Sequence, residues 1–273
     1  MTSSTAPIAG TPAADTETAA DWPAGAIVRD IARGGVAGLV VGVVLAGIGG
    51  RLVMRMAALA VPSAVGSVTE NGNRIGEITL AGTLGLVFGI GLVFGAVAGT
   101  LWVTASPWIP GPPIVRGILA IPLAVALGAF GLIRAGNPDF VVLRHDPLVI
   151  GALVLLVALF GPMLALTDAW LDRRLPHRPT RGGNRAYLAV TVTGLAIALL
   201  LVLPMFLGSA LWLTGLAMVA TGFATLAWWN LRARGRSSLP PGLLIVGRAG
   251  LLAATVVGLA VAVPEITGAL RLG

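Results

Sequence analysis

The chain has 273 residues, of which 56% are hydrophobic and only 11% charged, and its mean hydropathy is +0.94. A soluble globular chain is typically about 45–50% apolar and about 25% charged. About seven membrane helices of roughly 21 residues each would use close to 150 residues, which is slightly over half of this chain. The composition therefore excludes a soluble enzyme, a disordered protein and a secreted disulfide scaffold. It predicts an all-α, polytopic transmembrane bundle of about seven helices.

The charged residues exclude further functions. All 18 cationic residues are arginine, and the net charge is +7. A pI near 11.6 would indicate nucleic-acid binding in a soluble domain, but these arginines cluster at the ends of apolar runs, where topology and anionic headgroups account for them. We therefore expect membrane lipids, and no nucleic acid, as partners. Without lysine the chain cannot form a retinal Schiff base or a Walker A loop.

No sequence pattern predicts catalysis. The chain has no cysteine, which excludes disulfides and thiolate metal sites. It also lacks an HExxH motif, and its two histidines lie in loops predicted on opposite sides of the membrane. We therefore expect no catalytic residue, no metal site and no cofactor.

The beginning of the chain differs in composition from the rest. Residues 1–25 are rich in Ala, Thr, Ser and Pro, and they lack the basic region and apolar core of a cleaved signal peptide. Such a segment cannot bury enough apolar surface to offset the entropy of ordering. We expect residues 1–33 to form a disordered cytoplasmic tail and residues 34–273 to form the transmembrane domain.

Seven apolar runs follow, separated by short breaks that carry turn residues. The predicted spans cover residues 34–57, 79–104, 114–133, 147–167, 187–207, 210–229 and 243–266. With the N-terminus inside and the C-terminus outside, twelve of the 18 arginines fall on the cytoplasmic side and six on the outer side. This bias predicts a multi-pass protein of the inner (cytoplasmic) membrane. Should the first run not span, six helices remain and the N-terminus lies outside.

Glycines recur every four residues in the first two runs. They are Gly34, Gly38, Gly42 and Gly50 in the first run, and Gly91, Gly95 and Gly99 in the second. Lipid tails are as apolar as leucine, so membrane helices associate through close backbone contact, which strips of small residues permit. The spacing predicts a glycine zipper between the first two helices. A homo-oligomeric or partner-binding face and a glycine-lined pore remain as alternatives.

Four charged residues lie near the outer ends of the predicted spans. Arg51 and Arg55 are one turn apart on one helical face of the first run. Glu77 immediately precedes the second run, and Glu265 lies in the last turns of the seventh. An ionisable group at membrane depth is costly unless it is paired or hydrated. We predict that Arg51 or Arg55 pairs with Glu77 or Glu265, with snorkelling to headgroups or a carboxylate- or phosphate-binding site as alternatives.

Three threonines share one face of the sixth run, namely Thr214, Thr221 and Thr225. Their hydroxyls are expected to bond back to the backbone carbonyls of their own helix. A hydrated path lined by these hydroxyls is the functional alternative.

Short motifs in the first part of the chain resemble bacterial multi-pass membrane proteins of unknown function. They are Arg51-Leu52-Val53-Met54-Arg55 after a glycine-rich helix, Gly82-Thr83-Leu84-Gly85 at the start of the next, and Asp146-Pro147 before a later apolar run. The resemblance covers about residues 34–176 and implies no activity.

Two functions are favoured by the sequence, and an intramembrane enzyme is the third alternative. The first is a non-enzymatic integral membrane protein that packs through glycine strips and has a role in a larger assembly. The second is a small permease or lipid/solute transporter. A transporter predicts a polar cavity near the midplane with a buried ionisable group in its wall. A scaffold predicts a dry interior, with its charges confined to the two interfaces.

Overall fold

A computed structural model describes residues 23–69, 74–77, 79–175, 189, 192 and 211–271. Within these ranges the chain is helical and forms no β-sheet. Five helical stretches are long and apolar enough to cross a membrane, namely Gly25–Ala60, Leu80–Ala105, Pro147–Arg174, Trp212–Ala233 and Pro241–Arg271. The predicted all-α membrane architecture is therefore confirmed. The third predicted run contains a shorter apolar helix, Pro113–Ala129, and the run at 187–207 lies outside the described residues apart from two single positions, so the number seven stays a prediction.

The first long stretch is one continuous helix in three parts. Helix α1 covers Pro23–Gly42, a π-helical segment covers Val43–Gly49, and α2 covers Gly50–Ala60. It begins well before Gly34, where the sequence predicted the ordered domain to start. Charged side chains in its first turns pair with other helices, which stabilises these turns. The part of the expected tail before Pro23 lies outside the described residues.

The second stretch has the same three-part construction. Helix α3 covers Leu80–Leu84, a π-helical segment covers Gly85–Gly91, and α4 covers Leu92–Ala105. Thr79 begins it, because its side-chain oxygen accepts a hydrogen bond from the Gly82 N–H. The two π-helical segments lie against each other.

The next helices form a compact group. Helix α5 covers Pro113–Leu132, the short α6 covers Pro138–Val142, α7 covers Pro147–Ala158 and α8 covers Phe160–Arg174. Asp146 caps α7 by accepting from the N–H groups of Leu148 and Val149, which gives the Asp146-Pro147 motif a structural role. The break between α7 and α8 falls at Leu159, close to Pro162, which has no N–H to continue the hydrogen-bond ladder.

Two long helices complete the described chain. Helix α9 covers Trp212–Ala233, and α10 covers Pro241–Arg271. They pack on each other, while α9 also contacts α4 and α10 also contacts α5. Helix α5 packs on α8, and α8 on α1, so that the contacts return to the first helix.

The seam between α1 and α4 is made of glycine. A Cβ placed on Gly38 would collide with the backbone of Gly95 and Gly99, and one on Gly42 would collide with the backbone of Gly91 and Gly95. Such backbone contact is open only to residues without a side chain. Two glycines at the ends meet side chains instead, since Gly34 faces Val103 and Gly50 faces Leu86.

The bundle buries many small residues beside larger ones, and it exposes many large apolar side chains. Ala37, Ala126 and Ala254 are completely buried, whereas Leu80 is 77% exposed and Phe223 is 68% exposed. A water-soluble monomer rarely exposes large contiguous apolar surface. The distribution is that of helices packed through small residues in lipid.

Candidate functional site

The start of α1 carries charged side chains that pair with two other helices. Arg33 Nε donates to Asp168 Oδ1 of α8 at 2.6 Å, and Arg29 Nη1 donates to Asp172 Oδ1 at 2.9 Å. Arg232 of α9 donates from Nη1 to Asp30 Oδ2 at 3.0 Å. We call these residues the ion cluster: Arg29, Asp30, Arg33, Asp168, Asp172 and Arg232.

The ion cluster is partly buried at the end of α8. Arg29 is 5% exposed and Asp168 is 8% exposed, whereas the Asp172 and Arg232 side chains are 44% and 36% exposed. The charges of the two buried residues need partners to be tolerated. Arg29 Nη2 also donates to the backbone carbonyls of Asp172 and Leu175. These belong to the end of α8, where the last carbonyls lack partners in their own helix. The cluster therefore closes α8 and fastens it to α1.

The sequence contains a signal for this cluster. Counting arginines on the two sides of the membrane does not detect it. From topology alone, Arg29 and Arg33 only mark the cytoplasmic side, and Asp168 and Asp172 have no predicted role. Both pairs are spaced four residues apart, so each helix presents two like charges on one face. Two arginines on one apolar helix and two aspartates at matched spacing on another indicate an ion-pair interface.

A cavity of about 270 Å³ adjoins the ion cluster. Its described lining includes three arginines and two aspartates, namely Arg33, Arg116, Arg232, Asp30 and Asp168. Both aspartates are already paired, Asp168 with Arg33 and Asp30 with Arg232. Within the described residues Arg116 forms no ion pair, and its buried Nε meets no acceptor. The lining therefore carries one uncompensated positive charge. We call this space the basic cavity.

A second cavity, of about 250 Å³, lies among α4, α5, α7 and α8. Its described lining contains aliphatic and aromatic side chains and glycines, including Val97, Leu123, Leu127 and Phe160. Within the described residues no charged side chain lines it. We call this space the apolar cavity.

The two cavities are stacked along the same three helices. Trp102 of α4 lines both. On α5, Arg116 lines the basic cavity and Ala120, one turn later, lines the apolar cavity. On α8, Asp168 and Leu164 are divided in the same way. The polar space therefore adjoins the apolar one.

A third cavity, of about 510 Å³, lies at the opposite end of the bundle. It shares Phe94, Leu132 and Phe160 with the apolar cavity. Its described lining also includes Arg134 and Asp139. The three cavities thus form a row along the bundle, polar at both ends and apolar in the middle.

The α9–α10 pair is joined to the loop after α4 through Trp108. The Trp108 indole Nε1–H donates to Thr225 Oγ1 at 2.9 Å, and Thr225 Oγ1 donates to the Thr104 carbonyl at 2.8 Å. Gly247 lies so close to the Trp108 ring that a Cβ would collide with it. Arg248 Nε donates to the Trp108 carbonyl at 3.3 Å. Trp108 itself is 1% exposed, so its contacts are buried within the protein and the ring does not lie at a membrane interface.

The threonine face of α9 is fully buried. Thr221 Oγ1 donates to the Ala217 carbonyl at 2.8 Å, which confirms the expected bond within its own helix. Thr225 Oγ1 lies 3.0 Å from the Thr221 carbonyl and 2.8 Å from the Thr104 carbonyl, and its one proton is shared between the two. Thr214 Oγ1 is buried and meets no partner among the described residues.

The predicted ion pair at the other end is replaced by local contacts. Glu265 Oε2 accepts from the Ala135 N–H at 2.8 Å, and Glu77 lies 3.5 Å from Arg74. Among the described residues neither Arg51 nor Arg55 forms a salt bridge. Arg55 is exposed, whereas Arg51 Nε and Nη2 are buried without a hydrogen-bond partner in the described chain. The carboxylates are held by the loops next to them, which lie closer than α2.

Comparisons of the chain with protein-family models, with curated proteins and with solved structures found no match.

Proposed function

We propose that this chain is a multi-pass protein of the cell membrane that acts without catalysis and holds a lipid or other hydrophobic solute within its bundle. The proposal includes about seven spans with the N-terminus inside and the C-terminus outside. It also includes kinship with the bacterial multi-pass proteins that residues 34–176 resemble. The row of three adjoining cavities, apolar in the middle, carries it.

The lining of the middle cavity favours an apolar occupant. Moving a polar solute out of water into an apolar space costs several kcal/mol unless hydrogen bonds replace its hydration. The described lining contains no charged side chain, and Trp102 is its one side chain that carries a polar group. A hydrocarbon chain loses nothing there, because it leaves an equally apolar bilayer.

The placement of charge supports the same proposal. The ion cluster and Arg116 lie at one end of the row, and Arg134 and Asp139 lie at the other. A carrier of ions or sugars would need polar groups at the midplane. The apolar lining of the middle cavity favours hydrophobic cargo.

A role in assembly is the second candidate, and the outer face of the second helical stretch favours it. The seam glycines are buried between α1 and α4 and cannot meet another protein. Gly85 and Gly89, four residues apart, are exposed, and a Cβ on either would meet no atom within 4 Å. Such spacing permits close approach of a second helix. Subunit counting of wild type and of Gly85→Ile/Gly89→Ile in nanodiscs tests it: equal monomeric counts would remove this candidate.

Lipid retention by the purified protein tests the leading proposal. Ala124 lines the apolar cavity, and Ala124→Phe fills part of it. Ala253 on α10 is exposed, so Ala253→Phe makes the same change on the lipid-facing surface. Native mass spectrometry in mild detergent should show a bound lipid on wild type and on Ala253→Phe, and loss of it from Ala124→Phe. Equal retention by all three would contradict the proposal.

A further inference from the structure

We infer that the basic cavity binds the anionic headgroup of an amphiphile whose hydrocarbon chain occupies the apolar cavity, with Arg116 and Trp102 as the headgroup ligands. The inference depends on the proposed function for the chain, and it adds the class of ligand and the residues that select it. The shared chemistry is that of an oxyanion such as a phosphate.

Two buried donors without acceptors point to this ligand. Trp102 is 4% exposed, and its indole Nε1 meets no acceptor among the described residues. The buried Nε of Arg116 also meets no acceptor among the described residues. A buried donor left unpaired costs about 1–3 kcal/mol, and more when it is charged. Both groups can only donate, so a ligand that satisfies them must supply acceptor oxygens.

The position of the Trp102 ring directs its donor to the basic cavity. Its Cδ1, the carbon bonded to Nε1, lies 3.7 Å from a Cβ built on Gly34. Gly34 lines the basic cavity and does not line the apolar one in the described chain. The five-membered edge of the ring therefore lies on the polar side, and the ring separates headgroup from hydrocarbon. Indole rings take this position at membrane interfaces in general.

The charge balance favours an anion over a neutral acceptor. The aspartates of the lining are engaged by Arg33 and Arg232, which leaves the Arg116 charge without a counter-ion in the described chain. Guanidinium groups bind phosphate with charge-assisted hydrogen bonds, which are about twice as strong as neutral ones. A zwitterionic headgroup would bring its own cation into a lining that is already positive.

The test measures which lipid is retained by the purified protein. Phosphatidylglycerol and phosphatidylcholine with identical chains are offered in equal amounts, and bound lipid is counted by native mass spectrometry. Wild type should prefer phosphatidylglycerol by about tenfold or more. Arg116→Gln should remove that preference, and Trp102→Phe should weaken it several-fold. Arg236→Gln, an exposed arginine outside the basic cavity, is the matched control and should behave as wild type.

The other outcomes separate a failure of the headgroup assignment from a failure of the proposed function. Equal retention of both lipids, lost only in Ala124→Phe, overturns the headgroup assignment and leaves the proposed function standing. No retained lipid in any variant overturns both. A third arm offers inorganic phosphate alone: if phosphate raises the unfolding temperature of wild type but not of Arg116→Gln while no lipid is retained, the anion is free and the amphiphile is overturned. Unfolding temperatures of the variants without ligand show whether each one folds.

Discussion

Arg33 Nε lies 2.6 Å from Asp168 Oδ1, which ties the first turns of α1 to the last turns of α8. The side chains are 18% and 11% exposed, so water screens the pair only weakly. Arg33 also lies 3.3 Å from Asp30, which Arg232 reaches from α9. One end of the bundle is therefore held by charges and not only by apolar packing.

Replacing Asp168 should destabilise this end. Asp168→Asn removes one charge and leaves Arg33 with fewer partners at low exposure, so we expect a loss of about 2–3 kcal/mol in the free energy of unfolding. Glu77→Gln is the control, because Glu77 and Arg74 are 47% and 61% exposed and such pairs contribute about 0–1 kcal/mol. Reversible unfolding in mixed detergent micelles measures both. Equal losses would show that the ion cluster stabilises no more than a surface pair.

The seam between α1 and α4 provides a second test. Gly38→Ala would drive a methyl group into the backbone of Gly95 and Gly99, and we expect a loss of about 2–3 kcal/mol or more. Gly35, on the same helix, has nothing within 4 Å of its Cβ position. Gly35→Ala should therefore be neutral or stabilise by about 0.5–1 kcal/mol, since alanine is the better helix former. Destabilisation by Gly35→Ala equal to that by Gly38→Ala would contradict a seam made of these glycines.

A feature of this structure can be predicted from the sequence when it leaves a local pattern of residues. A membrane helix is recognisable from the composition of about 20 residues. The end of α4, both ends of α5 and the start of α7 fall within a few positions of the predicted spans. Glycine spacing leaves a local pattern as well, and a Cβ built on Gly38 or Gly42 would collide with the backbone of the second glycine strip.

Hydropathy does not record which helix packs against which. Glu265 and Arg51 are both costly in a membrane, but cost alone does not say which group satisfies which. Glu265 bonds to the N–H of Ala135, and a backbone donor is invisible to a search for opposite charges. The ion cluster joins residues about 140 positions apart, and hydropathy records each of them only as the end of a span. The cavities arise from the three-dimensional arrangement of apolar side chains that read alike in sequence.

Glu265 acts as a hydrogen-bond acceptor, and two substitutions distinguish this role from an ion pair. Glu265→Gln keeps a carbonyl oxygen for the Ala135 N–H, so we expect a change within about 0.5 kcal/mol. Glu265→Ala leaves that N–H without its acceptor and should cost about 1–2 kcal/mol. Chemical denaturation of both variants makes the comparison. Equal losses would restore an ionic role for the carboxylate, because only the charge is absent from both.

The Thr225 hydroxyl joins Trp108 to the end of α4, so its removal should destabilise this contact. Thr225→Val keeps the shape, but it leaves the buried Trp108 N–H without its acceptor and the Thr104 carbonyl without its donor. We expect a loss of about 1–3 kcal/mol. Thr255→Val is matched, since the Thr255 hydroxyl bonds to the Leu251 carbonyl of its own helix, and we expect less than about 0.5 kcal/mol. Thermal unfolding followed by circular dichroism compares the two. A Thr225→Val variant as stable as Thr255→Val would mean that the hydrogen bonds at Trp108 contribute nothing to the free energy of unfolding.

The orientation can be read directly, because the chain has no cysteine and every introduced thiol is unique. Ser63 and Ser237 are exposed in the loops after α2 and α9, at opposite ends of the bundle. The arginine bias predicts that the end with Arg232 is cytoplasmic. A membrane-impermeant maleimide should therefore label Ser63→Cys in intact spheroplasts, and it should label Ser237→Cys only after the membrane is permeabilised. The reverse pattern would place the N-terminus outside, and the basic cavity would then face the outer leaflet.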